Sequence, residues 1–101
     1  MLNFAPHLET NNMEQGKKYL VELVTKDYPY FALAYVKNTS ITDNVLHFAK
    51  REEALIVRDK ETLGKVLELI SKHNSDSEKV RVMDWITEVG TTKRIFKSEL
   101  L

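Results

Sequence analysis

The stretch DKETLGKVLELISKHN, residues 59–74, decides the fold because it predicts the one long amphipathic helix of the chain. Asp59 suits the N-cap, since its carboxylate can accept N–H bonds from the first turn. Asn74 is expected to end the helix in the left-handed conformation. Apolar residues recur at helical spacing on one face: Leu63, Val66, Leu67 and Ile70. We therefore predict a helix over about 59–73 that packs one face on the rest of the domain.

Two short runs before the helix favour β-strands: residues 17–26 (KKYLVELVTK) and 30–37 (YFALAYVK). Both are rich in β-branched and aromatic residues, which fit a pleated, half-buried surface. Pro29 lies between them and indicates a turn. Apolar residues occupy alternate and intervening positions, which predicts that each strand is covered on both faces over part of its length.

The C-terminal segment 79–89 (KVRVMDWITEV) predicts a further strand that returns as a hairpin. A type II′ turn at residues 90–91 would bring aliphatic, aromatic and opposite-charge residues into cross-strand register. The pairs are Ile86 with Ile95, Trp85 with Phe96, and Glu88 with Lys93. Because such pairs stabilise a sheet, we predict a β-hairpin over about 80–96, followed by a frayed end at 97–101.

The stretch ITDNVLHFAKREEALIV, residues 41–57, leaves two alternatives. In the first, strands at 45–49 and 54–58 are joined by a turn at 50–53. In the second, a helix begins within that turn and continues toward the helix at 59–74. Asp59 is a good capping residue inside this run, which favours the strands.

These elements predict a small α+β domain that spans residues 1–101, with a mostly antiparallel sheet and the main helix on one face. A chain of 101 residues is near the commonest size of one domain. Residues 1–16 form a loosely held N-terminal arm in this prediction. The helix is expected to share a core with residues of the strands: Leu20, Leu33, Val82 and Trp85.

Composition excludes several classes of function. Fifteen basic and fifteen acidic side chains cancel, so the chain lacks the basic excess typical of nucleic-acid-binding proteins. The absence of cysteine excludes disulfides, thiolate nucleophiles and cysteine-ligated zinc. The longest apolar run covers residues 31–36, far short of the ~20 residues that cross a bilayer. The N-terminus also lacks the features of a secretory signal, so we expect a cytoplasmic protein.

No arrangement of residues predicts catalysis. His47 lies between apolar residues with no second converging group in reach by sequence, which indicates a half-buried histidine with one ring nitrogen satisfied. Glu52 and Glu53 are adjacent and point apart, so they are a poor acid–base pair. The three glycines form neither a dinucleotide fingerprint nor a P-loop. We expect a protein that is not an enzyme and that holds no metal or cofactor.

The densest aromatic cluster is the candidate binding surface, together with positive charge on the terminal hairpin. Its aromatic members are Tyr28, Tyr30, Phe31 and Tyr35, and the basic residues are Lys93 and Arg94. Such aromatics can be core residues, hot spots for a protein partner, or a platform for single-stranded bases. Among the binding roles, the neutral charge favours a protein partner over nucleic acid, bound by a monomer or small homo-oligomer.

Thr42 and Asp43, then Phe48, then Glu52 and its neighbours Glu53 and Ala54 carry a resemblance to a known kind of protein. Their order is similar to that in small uncharacterised accessory proteins of Gram-positive phages and prophages. There, two strands, a T-D turn and a short F-x-x-x-E-E-A segment precede a helix. The resemblance implies an accessory protein of a mobile element that acts by binding. Such proteins include inhibitors of host machinery, and defence nucleases are among the proteins they inhibit.

Overall fold

The computed structural model of the chain describes residues 16–27, 29 and 31–101, so the predicted N-terminal arm lies outside the described residues except for Gly16. The elements in chain order are β1 (Tyr19–Thr25), β2 (Ala32–Val36), α1 (Ser40–Asp43), β3 (Phe48–Ala49), a 3₁₀ turn (Arg51–Glu53), α2 (Lys60–Asn74), β4 (Val82–Glu88), β5 (Arg94–Ile95) and a 3₁₀ turn (Lys97–Glu99). A five-stranded antiparallel sheet with one main helix confirms the predicted α+β fold.

Strand β1 is the centre of the sheet, whose strand order is β3-β2-β1-β4-β5. It pairs with β4 along its whole length and with β2 across a bulge between Leu23 and Val24. Leu20 and Val24 are as inaccessible as Val21 and Leu23, so β1 is covered on both faces, as predicted. The same prediction is wrong for β2, where Val36 is the one buried residue.

Helix α2 begins where the sequence predicts because Asp59 caps it. The Asp59 carboxylate accepts a hydrogen bond from the backbone N–H of Thr62 at 2.7 Å. That backbone bond holds the pKa of Asp59 below its ordinary value, since it stabilises the charged form. The cap thus couples the helix start to the ionisation of one carboxylate.

The end of α2 differs from the prediction. Asn74 is the last helical residue, and the following Ser75 stays right-handed with φ −79°. The Asn74 side chain instead binds both backbone groups of Val82: its amide donates to the carbonyl at 2.7 Å, and its oxygen accepts from the N–H at 2.8 Å. Asn74 therefore fixes the end of the helix to the start of β4.

The core lies between α2 and the sheet. The helix contributes four buried residues, Leu63, Val66, Leu69 and Ile70, while the predicted Leu67 is only partly buried at the edge of the core. Val82 belongs to the core as predicted. Leu33 and Trp85 were predicted core residues, and this is wrong, because they are exposed by 40% and 37%. Leu20 is buried but lies outside the helix-facing cluster.

The segment between β2 and α2 matches neither alternative completely. The turn at 50–53 is confirmed as a 3₁₀ turn, and no helix runs from it into α2. Residues 54–58 do not pair with β3, as the strand alternative required; Ala54 bridges Lys37 and Val57 bridges Tyr19. The alternation of residues in this segment predicts extended chain. It does not predict the pairing partners, Lys37 and Tyr19, because these depend on long-range packing.

The terminal hairpin has the predicted register, with Ile86 opposite Ile95. The predicted turn is wrong by one position: the N–H of Thr91 donates to the carbonyl of Glu88 at 3.0 Å, and Gly90 is third in the turn with φ +92°. Positive φ at that position is typical of a type II turn and favours glycine. The predicted frayed end is also wrong, because Leu100 is buried in the core.

Candidate functional site

The sheet face opposite α2 carries a group of exposed and half-buried side chains and is the candidate site. In the β1–β4 ladder, Val21 pairs with Ile86 and both are buried in the core. Successive strand residues point to opposite faces, so the adjacent pair Glu22 and Trp85 projects away from the helix. We call this surface the outer face. Its members are Glu22, Leu33, Tyr35, Trp85, Arg94 and Phe96.

Glu22 lies between two aromatic residues on the outer face. It is the register partner of Tyr35 on β2 and of Trp85 on β4. Neighbouring strands are about 4.8 Å apart, so Tyr35 and Trp85 flank Glu22 from the adjacent strands. Glu22 and Tyr35 are half-buried. Within the described ranges the Glu22 carboxylate has no hydrogen-bond or ion-pair partner.

Arg94 is held by two aromatic rings. Its guanidinium carbon lies 5.1 Å from the centroid of the Trp85 ring and 5.4 Å from that of Phe96. Both distances are within the range of a cation–π contact. No carboxylate of the described residues pairs with Arg94, so its N–H donors remain available while the rings hold the side chain in place.

A groove of about 580 Å³ lies beside Glu22, along β2 and β3. Phe48, which also lines it, lies near His73 of α2, so the groove reaches the edge of the sheet. Its lining includes Glu22, Leu33, Tyr35, Ala49, Lys50 and Arg51. The groove therefore extends from Glu22 toward Lys50, Arg51 and Glu52 at the start of the 3₁₀ turn. A side chain from another molecule has room beside Glu22.

The structure brings two of the predicted binding residues to the outer face, Tyr35 and Arg94. Phe31 is exposed just before β2, and Lys93 is exposed in the hairpin loop. The expected contact of Lys93 with Glu88 is not formed. The Glu88 carboxylate instead lies 3.8 Å from the ammonium of Lys17. Two further predicted residues, Tyr28 and Tyr30, lie outside the described residues.

The residues that sequence reasoning missed are Glu22, Trp85 and Phe96. The signal was present in the spacing of β4. Val82 and Trp85 are three positions apart, and an odd separation places strand residues on opposite faces. Since Val82 and Ile86 belong to the core, the alternation puts Trp85 on the outer face, and the cross-strand pairs then bring Glu22 with it.

His47 does have a partner, contrary to the expectation that none is in reach. Its Nε2 lies 3.0 Å from a carboxylate oxygen of Asp43. The backbone N–H of His47 also donates to the hydroxyl of the buried Ser40 at 3.0 Å, and Asn44 ends α1 in the left-handed conformation with φ 56°. As predicted, the ring is half-buried with one nitrogen satisfied. These contacts hold the turn between α1 and β3.

The described part of the chain contains no group of three histidine, aspartate or glutamate side chains that could hold a metal ion. None of its helices combines the length and apolar character needed to cross a membrane. Comparison with protein-family models, curated proteins and solved structures found no match to this chain. The candidate site therefore depends on its geometry alone.

Proposed function

We propose that this chain is a non-catalytic module that binds a protein partner through the outer face and modulates it. The observation that carries the proposal is the position of Trp85, which is exposed on a strand paired in the sheet, next to Arg94. Tryptophan, tyrosine and arginine dominate the binding energy of protein interfaces. The outer face contains all three residue types.

The outer face exposes apolar side chains that a partner can bury. Phe96 is exposed by 59%, and Leu33 and Trp85 are each exposed by more than a third. Burial of apolar surface gains roughly 25 cal/mol per Å². Because Trp85 lies on a strand that is paired with β1 along its whole length, little conformational entropy of the backbone is lost there on binding.

The resemblance of Thr42, Asp43 and Phe48 with their neighbours to phage accessory proteins supports a partner among host proteins. We propose that the chain acts in the cytoplasm as a regulator or inhibitor of host machinery, as a monomer or small homo-oligomer. The lack of cysteine is consistent with a reducing compartment.

A single-stranded nucleic acid is the alternative partner. Tyr35 and Trp85 lie on one sheet face near Arg94, which resembles a platform for stacking bases. Glu22 lies between the two rings, however, and its charge repels a phosphate backbone. The net charge of the chain is zero, so no general attraction compensates. Quenching of Trp85 fluorescence by an oligonucleotide at low salt would support this alternative over the protein partner.

The proposal is tested by affinity capture from a lysate of the natural host with the full chain as bait. The test variant is Trp85→Ser, and the matched control is Val80→Ser, an apolar residue exposed by 62% outside the outer face. We expect wild type and control to retain the same protein and Trp85→Ser to lose it, with circular dichroism unchanged. Equal retention by all three proteins would contradict the proposal.

A further inference from the structure

We infer that the partner inserts an arginine or lysine side chain into the groove, where it pairs with Glu22 between Tyr35 and Trp85. This inference rests on the proposed function and names the chemistry of the partner. It follows from three features: a carboxylate without a partner among the described residues, aromatic neighbours on both adjacent strands, and a groove that Glu22 and Tyr35 line.

The carboxylate is the first feature. Glu22 is half-buried and lacks a hydrogen-bond or ion-pair partner among the described residues. A charge that is partly removed from water without compensation is unfavourable. An incoming guanidinium or ammonium group supplies both the opposite charge and N–H donors, and charge-assisted hydrogen bonds are the stronger kind.

The flanking rings are the second feature. Tyr35 and Trp85 are the register partners of Glu22 on either side. The faces of aromatic rings attract cations, and sites for ammonium groups are commonly built from such rings. A cation above Glu22 is thus attracted by the carboxylate and by the rings together. An anion at the same place is repelled.

The surrounding charges define what else the partner carries. Arg94 lies outside the groove, on the β5 side of Trp85. Lys50 and Arg51 line the groove on the β3 side of Glu22. Glu52, which also lines that end, offsets part of this positive charge. The complementary surface is therefore a basic side chain flanked by acidic ones. Arg94 is two strands away from Glu22 and offset by two residues along β5, a backbone separation of roughly 12 Å. An acidic group of the partner that pairs with Arg94 should lie at about this distance from the basic side chain.

Fluorescence titration of the full chain tests the inference, because Trp85 is the single tryptophan and the direct neighbour of Glu22. The probe is the peptide acetyl-Gly-Arg-Gly-amide, compared with the citrulline peptide, which has the same shape without the charge. At constant ionic strength we expect a saturable change with the arginine peptide. The affinity should be roughly tenfold weaker for citrulline and for the Glu22→Gln variant. Glu78→Gln, in the exposed loop after α2, is the matched control and should bind as wild type.

An equal response to both peptides, or full binding by Glu22→Gln, would overturn the inference. Capture of the host protein distinguishes the two proposals. If capture requires Trp85 but is unaffected by Glu22→Gln, the proposed function holds and the inference of a basic side chain from the partner is refuted. A second copy could also supply the cation through its Arg94. Sedimentation tests this possibility. If the wild type is a dimer and both Glu22→Gln and Arg94→Gln are monomers, the groove binds Arg94 of a second copy, and the inference of a different protein as partner is refuted.

Discussion

Glu22 of β1 and Trp85 of β4 are direct cross-strand partners, and both side chains lie on the sheet face that α2 does not cover. The next pair in the same ladder, Val21 and Ile86, is buried beneath the helix. One step along the strands therefore separates a packed core from a surface that holds a tryptophan next to a carboxylate without a partner among the described residues. This relationship underlies the functional proposal.

The two faces of β4 are expected to respond differently to truncation. Ile86→Ala removes a core side chain that is 1% exposed, and large-to-small core changes cost about 2–5 kcal/mol. Trp85→Ala removes a partly exposed ring and should lower the free energy of unfolding by only about 1 kcal/mol. Urea denaturation measures both variants. A loss at Trp85 as large as that at Ile86 would mean that the outer face is packed.

The helix offers a second contrast, between Leu63 and Leu67. Leu63 is fully buried, so Leu63→Ala should cost about 2–5 kcal/mol. Leu67 is only partly buried against the core, so Leu67→Ala should cost roughly 1 kcal/mol. Thermal unfolding of the two variants distinguishes them. The reverse order of stabilities would show that the helix is rotated about its axis.

The Asp59 cap predicts a dependence of stability on pH. Asp59→Ala should destabilise the chain by about 1 kcal/mol. The folded pKa of Asp59 lies below the ordinary 3.8 because of the hydrogen bond from Thr62. The ionised cap therefore contributes its full stability above the unfolded pKa, and this contribution is lost as pH falls through the folded pKa. Asp59→Asn keeps a capping oxygen but does not titrate. Its stability relative to wild type should improve only in acid, below about pH 4.

The hydrogen bonds between Asn74 and Val82 should contribute to the free energy of unfolding, because they join the end of α2 to the start of β4. Asn74→Asp keeps the oxygen that accepts from the Val82 N–H but replaces the donor with a negative charge beside the Val82 carbonyl. An unsatisfied part-buried polar group costs roughly 1–3 kcal/mol. We expect that loss in chemical denaturation. Asn38→Ala, at an exposed turn residue, is the control and should be nearly neutral. A neutral Asn74→Asp would show that the clamp adds no stability.

The elements with strong local signals were predictable from the sequence. Asp59 and the apolar spacing after it define α2, and the pairing of Ile86 with Ile95 defines the terminal hairpin. The short elements were not, because α1 (Ser40–Asp43) and β3 (Phe48–Ala49) contain too few residues for a periodic pattern. Their positions depend on tertiary contacts, such as the bond from the His47 backbone to Ser40.

The candidate site was predictable only in part. Tyr35 and Arg94 were candidates from their residue types, and both lie on the outer face. Trp85 was expected in the core, but the alternation along β4 places it on the face opposite Val82 and Ile86. The lack of a partner for Glu22 among the described residues depends on the side chains of three neighbouring strands, which no local sequence pattern contains.

The most direct test of the central claim is photo-crosslinking in cells that carry the natural gene. A benzophenone amino acid replaces Leu33 on the outer face, and in a second variant it replaces Val80, which is more exposed but lies outside that face. If the outer face binds a protein, the variant at position 33 forms a discrete crosslinked species that Trp85→Ser abolishes, and the variant at position 80 does not. Crosslinking at position 80 alone, or at neither position, would contradict the account.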